Sequence, residues 1–361
     1  MPVAGQRDPD ETRVALTAWL KRQLPDATEV TITDLAVPQS TGFSNETFLF
    51  DASWRDGGVE EQAQMVLRSQ PQVYALFPEI DLINQQYGTM KRLGENTDVP
   101  VARMRWAEHD TSVLGQPFFV MDRLSGKVPG DVPPYTVEGW FMDLPPVERR
   151  RLHRNSVEAI TKVNRVDWRS LDFGYLEKPH HGALGPEQRR NYFRHFWEWA
   201  REGNEHAVAD PAWKWLEANW PDDGEHIELC WGDARPANQM FDDDGNVIAI
   251  FDWEMVSLGN AESDLGWYLF LQRFHTDGTG TGVPLPEGML TRDEIIAEWE
   301  GHVGRPATHV DFYERLGGFH FTLVMMKIGA MMQLLAAGSW PADYTVTNPV
   351  ARLTQELIDV G

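Results

Sequence analysis

The amino-acid sequence predicts an α+β protein of two lobes: a small lobe built on an antiparallel sheet, followed by a large, mainly helical lobe. Short apolar or alternating runs fill the first third of the chain, with turn signals such as Asp56-Gly57-Gly58 between them, as is typical of antiparallel strands. Beyond it, apolar residues recur mostly at helical spacing. The chain has 361 residues, which favours one large or two smaller cores.

Three segments follow from this pattern. Residues 1–24 hold an N-terminal segment and a helix that ends before Pro25. Residues 25–124 form the small lobe, with strand-like runs at 30–35, 46–53, 64–68, 102–107 and 117–121 and one inserted helix at 78–93. A Gly- and Pro-rich stretch then marks a boundary, so residues 125–361 form the helical lobe.

Within the helical lobe, apolar periodicity predicts helices at 146–166, 187–207, 210–219, 262–274, 291–303, 309–337 and 347–358. Two short strands, 227–230 and 247–251, interrupt this series. They frame the segment with the most informative polar residues.

Charge and composition exclude several classes of protein. The formal net charge is −23, which disfavours nucleic acid and anionic membranes as partners. No apolar run approaches the roughly 18–20 residues of a membrane span, and Met1 to Thr12 lacks the apolar stretch of a signal peptide. Cys230 is the only cysteine, so no internal disulfide forms. We therefore expect a cytoplasmic protein.

Three polar residues in the segment 229–254 stand in the order that a phosphoryl-transfer site requires. Asp233 comes first, Asn238 follows five positions later, and Asp252 ends the apolar run Val247-Ile-Ala-Ile-Phe. Asp233 can accept the proton of an attacking hydroxyl, and Asn238 and Asp252 can hold Mg²⁺ on nucleotide phosphates. Asp and Asn are also common turn residues, so the spacing of Asp233 and Asn238 alone does not decide the function.

The same segment resembles the aminoglycoside phosphotransferase and choline kinase-like family, which has the protein-kinase-like fold. The family's loop, His-Gly-Asp-x-x-x-x-Asn, is similar to Trp231-Gly232-Asp233-Ala-Arg-Pro-Ala-Asn238, with Trp231 in place of histidine. Asp252 matches the family's metal-binding aspartate. The resemblance extends over about residues 25–340 and makes 231–238 the catalytic loop of a lobe whose helices bind the acceptor.

The resemblance also implies a nucleotide-binding small lobe with a hinge at about 121–124. It assigns a phosphate-covering loop, Gly42, Phe43, Ser44 and Asn45. Arg68 stands where kinases have a phosphate-gripping lysine, and Gln86 where an ion-pairing glutamate is usual. Met121 and Arg123 fall in the hinge that binds the adenine. The alternatives are a plain hairpin turn, an exposed strand arginine and a buried edge strand.

Further charged residues near the motif have two interpretations each. Arg235 can stabilise the transferred phosphoryl group or lower the pKa of Asp233, or it can form a salt bridge with a nearby acid. Residues 203–264 hold 15 acidic residues against two basic ones. Most of these acids are expected to be solvated, whereas Glu254, Glu262 and Asp264 are candidates for binding a cationic substrate.

The leading hypothesis is a phosphotransferase that moves the γ-phosphoryl of ATP (or GTP), with Mg²⁺, to a hydroxyl of a small molecule. The resemblance implies acceptors such as aminoglycosides, choline, homoserine and sugars. The alternative is a catalytically inactive nucleotide-binding module that regulates a partner, suggested by Arg68 and Gln86. A metal-dependent hydrolase would need more ligands than the sequence offers.

Overall fold

The structure is a computed structural model that describes residues 8–37, 45–70, 74–222, 226–276, 281–335, 341 and 343–360. The chain divides into two compact units. The first comprises Met1–Glu95 and Ala102–Ser125, and the second comprises Asn96–Val101 and Gly126–Gly361. Among the described helices, none combines the length and apolarity needed to cross a bilayer.

The first unit is built on a five-stranded antiparallel sheet with strand order β1-β2-β3-β5-β4. Its elements are α1 (Pro9–Gln23), β1 (Thr28–Ala36), β2 (Glu46–Asp56), β3 (Val59–Ser69), α2 (Gly88–Asn96), β4 (Met104–Glu108), α3 (Thr111–Leu114) and β5 (Phe118–Asp122). The turn between β2 and β3 contains Gly57 and Gly58, both at positive φ. Glycine reaches this conformation without a steric penalty, which permits the tight reversal.

The core of the first unit forms between helix α1 and the sheet. Asp8 caps α1 by accepting hydrogen bonds from the backbone of Asp10 and Glu11, which satisfies two otherwise orphaned N–H groups. Leu16, Trp19 and Leu20 are fully buried and pack with Phe48, Phe50 and other apolar sheet residues. Burial of these large side chains fixes the helix on one face of the sheet.

The second unit is mainly helical and carries two small antiparallel strand pairs. Its helices are α4 (Trp140–Asp143), α5 (Pro146–Asn164), α6 (Pro186–Arg201), α7 (Ala209–Ala218), α8 (Glu262–His275), α9 (Arg292–Val303), α10 (Val310–Leu335) and α11 (Pro349–Asp359). The strands are β6 (Glu228–Cys230), β7 (Gln239–Phe241), β8 (Val247–Ile250) and β9 (Ser257–Gly259). β6 pairs with β9, and β7 pairs with β8.

Helices α8 and α10 cross closely because both contribute glycine at the contact. A Cβ on Gly266 would lie 2.3 Å from the backbone carbon of Tyr313, and one on Gly317 would lie 3.1 Å from the Cα of Trp267. Only glycine permits this approach at Gly266. The crossing fixes the first turns of α8, and these turns carry side chains that reach the catalytic loop.

The predicted fold class is confirmed. The predicted elements occur within a few residues of their expected bounds, with two larger differences: the strand predicted at 64–68 begins at Val59, and the helix predicted at 187–207 ends at Arg201. The helix predicted at 78–93 is in fact a π-helical turn, Leu82–Tyr87, that continues into α2. Strands β7 and β9 have only three residues each. They were not predicted, because neither segment shows a clear apolar pattern; β6 is as short but was predicted within the strand at 227–230.

Candidate active site

The predicted catalytic loop, residues 231–238, begins where β6 ends, and its first two residues are held by a buried carboxylate. Asp264 is fully buried in the first turn of α8 and accepts hydrogen bonds from the backbone N–H groups of Trp231 and Gly232, each at 2.8 Å. Its Oδ2 also accepts a bond from Asn164 Nδ2 at 2.8 Å. Burial raises the pKa of Asp264 to about 6, although these donors favour the ionised form.

Gly232 has a backbone conformation that other residues rarely adopt. Its φ is +96°, and a Cβ at this position would lie 2.4 Å from the Cβ of Met255 and 2.5 Å from its carbonyl oxygen. The glycine of the motif is therefore required both by its dihedral angle and by the close approach of the loop to Met255. This fixes the direction in which the next residue, Asp233, leaves the chain.

Asp233 is surrounded by donors. Its Oδ1 accepts hydrogen bonds from Arg235 Nε at 3.0 Å and from Trp267 Nε1 at 2.9 Å, and its Oδ2 accepts one from Asn238 Nδ2 at 2.7 Å. Burial raises the pKa of Asp233, and the charges of Asp252 and Asp131 add to this, whereas Arg235 and Asn238 oppose it. The carboxylate is thus oriented by three side chains before any ligand binds.

Arg235 lies between two carboxylates. Besides Asp233, its guanidinium donates from Nη1 to Asp131 Oδ2. The side chain of Arg235 is 20% exposed, so these ion pairs are largely shielded from water. The salt bridge that was one interpretation of Arg235 is present. Burial raises the pKa of Asp233, and the positive charge of Arg235 lowers it by less.

The loop and the strand that leads to Asp252 are joined by hydrogen bonds. The carbonyl of Asn238 accepts from Phe251 N at 2.9 Å, and the carbonyl of Phe251 accepts from Trp231 Nε1 at 2.7 Å. Trp231 is fully buried and so acts as a scaffold at the position where the family has histidine. Asp252 then follows β8 with φ +52°, a left-handed conformation that Asp tolerates better than most residues.

The donor set of Asn238 and Asp252 suits a hard divalent cation. The amide nitrogen of Asn238 donates to the carboxylate Oδ2 of Asp233 at 2.7 Å and to the backbone oxygen of Asp233 at 3.2 Å. The amide oxygen is therefore the atom that could bind a cation. Asp252 is partly buried and contributes carboxylate oxygens. Amide and carboxylate oxygens are the protein ligands that Mg²⁺ prefers. The oxygen atoms of Asn238 and Asp252 therefore fit a magnesium ion.

The three acids considered for substrate binding have different surroundings. Glu262 is 1% exposed and accepts bonds from Arg305 Nη1 at 2.5 Å and Nη2 at 3.0 Å, and from Thr308 N at 3.1 Å. Asp264 holds the catalytic loop, as described above. Glu254 is partly buried, two residues after Asp252. Glu262 and Asp264 thus serve protein groups, and substrate binding by the three acids stays a prediction.

The residues predicted to bind nucleotide lie in the first unit. Asn45 is buried beside the start of β2, and Arg68 lies on β3 opposite Thr47 and Phe119. Met121 lies on β5. Arg123 Nη2 forms an ion pair with Asp51 Oδ1 at 2.9 Å. The predicted residues Gly42, Phe43 and Ser44 lie outside the described residues. Gln86, where a glutamate is usual, is 2% exposed.

Two residues that contact the loop, Asp131 and Trp267, were not predicted from the sequence. Asp131 is 104 positions from Arg235, and Trp267 is 34 positions from Asp233. Asp131 comes from the Gly- and Pro-rich stretch that was interpreted only as a boundary. Trp267 follows Asp264-Leu-Gly266, and the one available signal was its place one helical turn after Asp264.

Known proteins resemble the chain in sequence and in structure. A protein of Gallus gallus, acyl-CoA dehydrogenase family member 11, is 30% identical over 261 residues, which are 70% of this chain and 30% of that protein. A Ralstonia eutropha protein described as a candidate aminoglycoside phosphotransferase has a TM-score of 0.67 at 24% identity, covering 96% of this chain and 98% of that one. Choline kinase LicA from Streptococcus pneumoniae has a TM-score of 0.53 at 14% identity, covering 95% and 99%.

The chain has the protein-kinase-like fold, with a five-stranded antiparallel sheet in the first unit and mainly helices in the second. Residues 36–300 match the model of the phosphotransferase enzyme family, and the chain belongs to this family. The chain spans about a third of the length of the curated relatives it matches.

Proposed function

We propose that the chain transfers the γ-phosphoryl group of ATP (or GTP), with Mg²⁺, to a hydroxyl of a small molecule. The observation that carries this proposal is the hydrogen-bonded network that joins Asp233, Asn238 and the strand leading to Asp252. It presents one carboxylate as a base and two oxygen ligands for a metal, fixed in relation to one another. Such pre-organisation is the main contribution of a protein to phosphoryl transfer.

In this proposal Asp233 orients the acceptor hydroxyl and accepts its proton as the oxygen attacks phosphorus. The bond to the leaving oxygen of the nucleoside diphosphate breaks in the same displacement. Bound Mg²⁺ supplies charge neutralisation on the phosphates, and Asn238 and Asp252 are the residues that hold it. Arg235 is kept rigid by Asp131, so its positive charge is already placed beside the base.

We further propose that the first unit binds the nucleotide. Arg68, with a permanently charged guanidinium, contacts phosphate oxygens, as does the loop of Gly42, Phe43, Ser44 and Asn45. Met121 and Arg123 lie beside the adenine or guanine ring of the nucleotide in this proposal. The ion pair with Asp51 holds the side chain of Arg123 in place, which supports a role for Arg123 in positioning the nucleotide. The cytoplasmic location and the lack of nucleic-acid and membrane partners stay predictions.

Two acceptor classes follow from the relatives. The aminoglycoside phosphotransferases among the structural neighbours make an aminoglycoside one candidate. The sequence relatives are named as members of the acyl-CoA dehydrogenase family, and the matched segment is about a third of their length. We therefore propose that dehydrogenation belongs to the remainder of those proteins. Because one polypeptide unites the two segments, hydroxylated acyl compounds are the second candidate.

The test is Mg²⁺-dependent ATP turnover against a panel of both acceptor classes, with nucleotide affinity measured in parallel. We expect Asp233→Asn to lower kcat by about 10²–10⁴-fold, the usual contribution of a general base, with ATP affinity retained. Asp252→Asn should abolish Mg²⁺-dependent nucleotide binding. Asp243→Asn is the matched control, because its side chain is 92% exposed, and it should leave both unchanged.

The outcomes separate an active phosphotransferase from a catalytically inactive nucleotide-binding module. Turnover that survives Asp233→Asn would remove Asp233 from the role of base. Tight Mg²⁺·ATP binding without turnover on any acceptor would favour the inactive regulatory module. Nucleotide affinity that is independent of Mg²⁺ and of Asp252 would remove Asn238 and Asp252 from the metal site.

A further inference from the structure

Three N–H donors surround the buried carboxylate of Asp264, which is 0% exposed. The donors are Trp231 N, Gly232 N and Asn164 Nδ2, each at 2.8 Å. A protonated carboxyl group would turn its own O–H toward one of these donors and leave that bond unmade. The hydrogen bonds therefore fit the ionised form. A charge buried this deeply is costly unless an opposite charge lies nearby, because it has lost its contact with water.

Arg189 on α6 supplies a positive charge that acts on this carboxylate. Arg189, Gly232 and Asp264 line one cavity of about 20 Å³ within the second unit, which has room for about one water. Burial raises the pKa of Asp264, its three hydrogen bonds lower it, and the positive charge of Arg189 lowers it further. In the poorly screened interior of a protein, such a charge acts over several ångströms without direct contact.

The side chain of Arg189 is held by packing. Its guanidinium carbon lies 5.6 Å from the ring centroid of Tyr192 and 5.0 Å from that of Phe193. A Cβ on Gly259 would lie 3.3 Å from both Cδ and Nε of Arg189, so the arginine lies directly against β9. Gly259 pairs with Glu228 of β6, the strand that leads into the catalytic loop. The charge of Arg189 is therefore fixed in relation to this loop.

Among the described residues, the other titratable groups around Asp264 supply no free positive charge. Burial and the charge of Asp264 raise the pKa of the Cys230 thiol, which stays neutral. Burial, with a smaller effect of Arg189, lowers the pKa of His320 on α10 to about 3, so its ring is neutral at physiological pH. The two acids that also act on Cys230 pair with Arg305; they are Glu228 of β6 and Glu262 of α8.

We infer that Arg189 is a positioning residue for phosphoryl transfer: its positive charge keeps Asp264 ionised, and the ionised carboxylate holds the two amides that begin the catalytic loop. The inference rests on the proposed phosphotransferase function and adds to it a residue outside the loop. Protonation of Asp264 would replace a charge-assisted acceptor by a weaker neutral one. The amide of Gly232 would then be held less firmly, and Asp233, the next residue, would lose the fixed geometry that catalysis requires.

The experiment observes the amide of Gly232 during a pH titration. Trp231-Gly232 is the only Trp-Gly pair in the sequence, so labelling with ¹³C-carbonyl tryptophan and ¹⁵N-glycine selects a single NMR signal. This amide donates to Asp264 Oδ1, so its proton shift follows the ionisation of Asp264. We expect a midpoint at about pH 6 in the wild type and about 1 pH unit higher in Arg189→Met. The same midpoint in Asp233→Asn assigns the titration to Asp264 and not to Asp233.

Activity is measured in parallel as kcat for Mg²⁺·ATP with the best acceptor of the panel. A shift of about 1 pH unit should lower kcat about fivefold at pH 6 and less than about twofold at pH 8, because the ionised fraction differs most near the midpoint. Arg189→Lys keeps the charge and should restore most of the activity, whereas the uncharged Arg189→Gln should behave like Arg189→Met. Arg194→Met is the control, because Arg194 is on the same helix but pairs with Glu217 at the surface. Circular dichroism melts confirm that each variant folds.

Three results would overturn the inference. They are the same Gly232 midpoint in wild type and Arg189→Met, no titration of this amide in either protein, or a loss of kcat in Arg189→Met that is equal at pH 6 and pH 8. The last result would show that Arg189 only supports the packing of α6. The titration requires no turnover, so it is independent of the proposed function, which the effect of Asp233→Asn on transfer tests separately.

Discussion

Replacement of Gly232 by alanine tests how strictly the catalytic loop is fixed. The new Cβ would lie 2.4 Å from Met255 Cβ and 2.5 Å from its carbonyl oxygen, and the backbone would remain at φ +96°. We expect backbone strain of about 1–3 kcal/mol and overpacking of about 1–3 kcal/mol. The predicted loss of unfolding free energy is therefore about 2–6 kcal/mol, against a typical total of about 5–15 kcal/mol.

Gly139 provides a matched control for the backbone contribution alone. Its φ is +95°, and a Cβ there would meet no atom within 4 Å. Urea unfolding of Gly139→Ala should therefore show only the strain, and the difference between the two variants measures the steric contact with Met255. The position of Asp233 must also change in Gly232→Ala, and displacement of about 1 Å lowers catalysis on the order of 10²-fold.

The assays are urea unfolding and kcat/KM for phosphoryl transfer. A Gly232→Ala variant that is no less stable than Gly139→Ala and retains activity within twofold of wild type would refute the predicted constraint at Met255. A large loss of stability with normal activity would show that the loop re-forms around the methyl group. The glycine would then be a folding requirement only.

Three further predictions concern single side chains. Trp267→Phe removes one donor from Asp233 Oδ1 and should lower kcat about tenfold with little change in melting temperature; unchanged kcat would show that Arg235 and Asn238 suffice. Arg68→Ala should raise the apparent KM for ATP without lowering the melting temperature by much, whereas an unaltered KM would favour an arginine that merely lies on the strand. Arg305→Met leaves Glu262 buried without its cation and should cost about 3 kcal/mol at pH 7. In the wild type, burial raises the pKa of Glu262, but the bonds from Arg305 and Thr308 lower it by more, so the net shift is downward. The stability that this pair contributes is therefore present above about pH 4.5 and is lost as the pH falls. Urea unfolding should show a smaller deficit at pH 4 than at pH 7, and an equal deficit would contradict the assignment.

The fold was accessible from the sequence where the pattern is local. Helices such as α5 and α10 show apolar periodicity over many residues, and the hairpin of β2 and β3 is marked by Gly57 and Gly58. The order of Asp233, Asn238 and Asp252 was also visible, because all three lie within 20 residues of one another. These features depend on spacing along the chain.

The support of the site was not accessible, because it depends on spatial neighbours. Nothing near Asp264 in sequence indicates that it binds the amides of Trp231 and Gly232, more than 30 positions away. The acidic stretch therefore suggested substrate binding for Asp264 and Glu262. In the fold, burial leaves such carboxylates stable only when donors surround them, and here the donors come from the protein itself.

The hydrogen bond from Phe251 N to the carbonyl of Asn238 joins the backbone segments that carry Asn238 and Asp252, the two residues proposed to bind the metal. Asn238 and Asp252 cannot separate unless this bond opens, so the distance between them is set during folding and not during binding. Little ordering entropy should then oppose metal binding at these residues. The slow hydrogen exchange of the Phe251 amide would report this directly, with protection close to that of the core even before nucleotide is added.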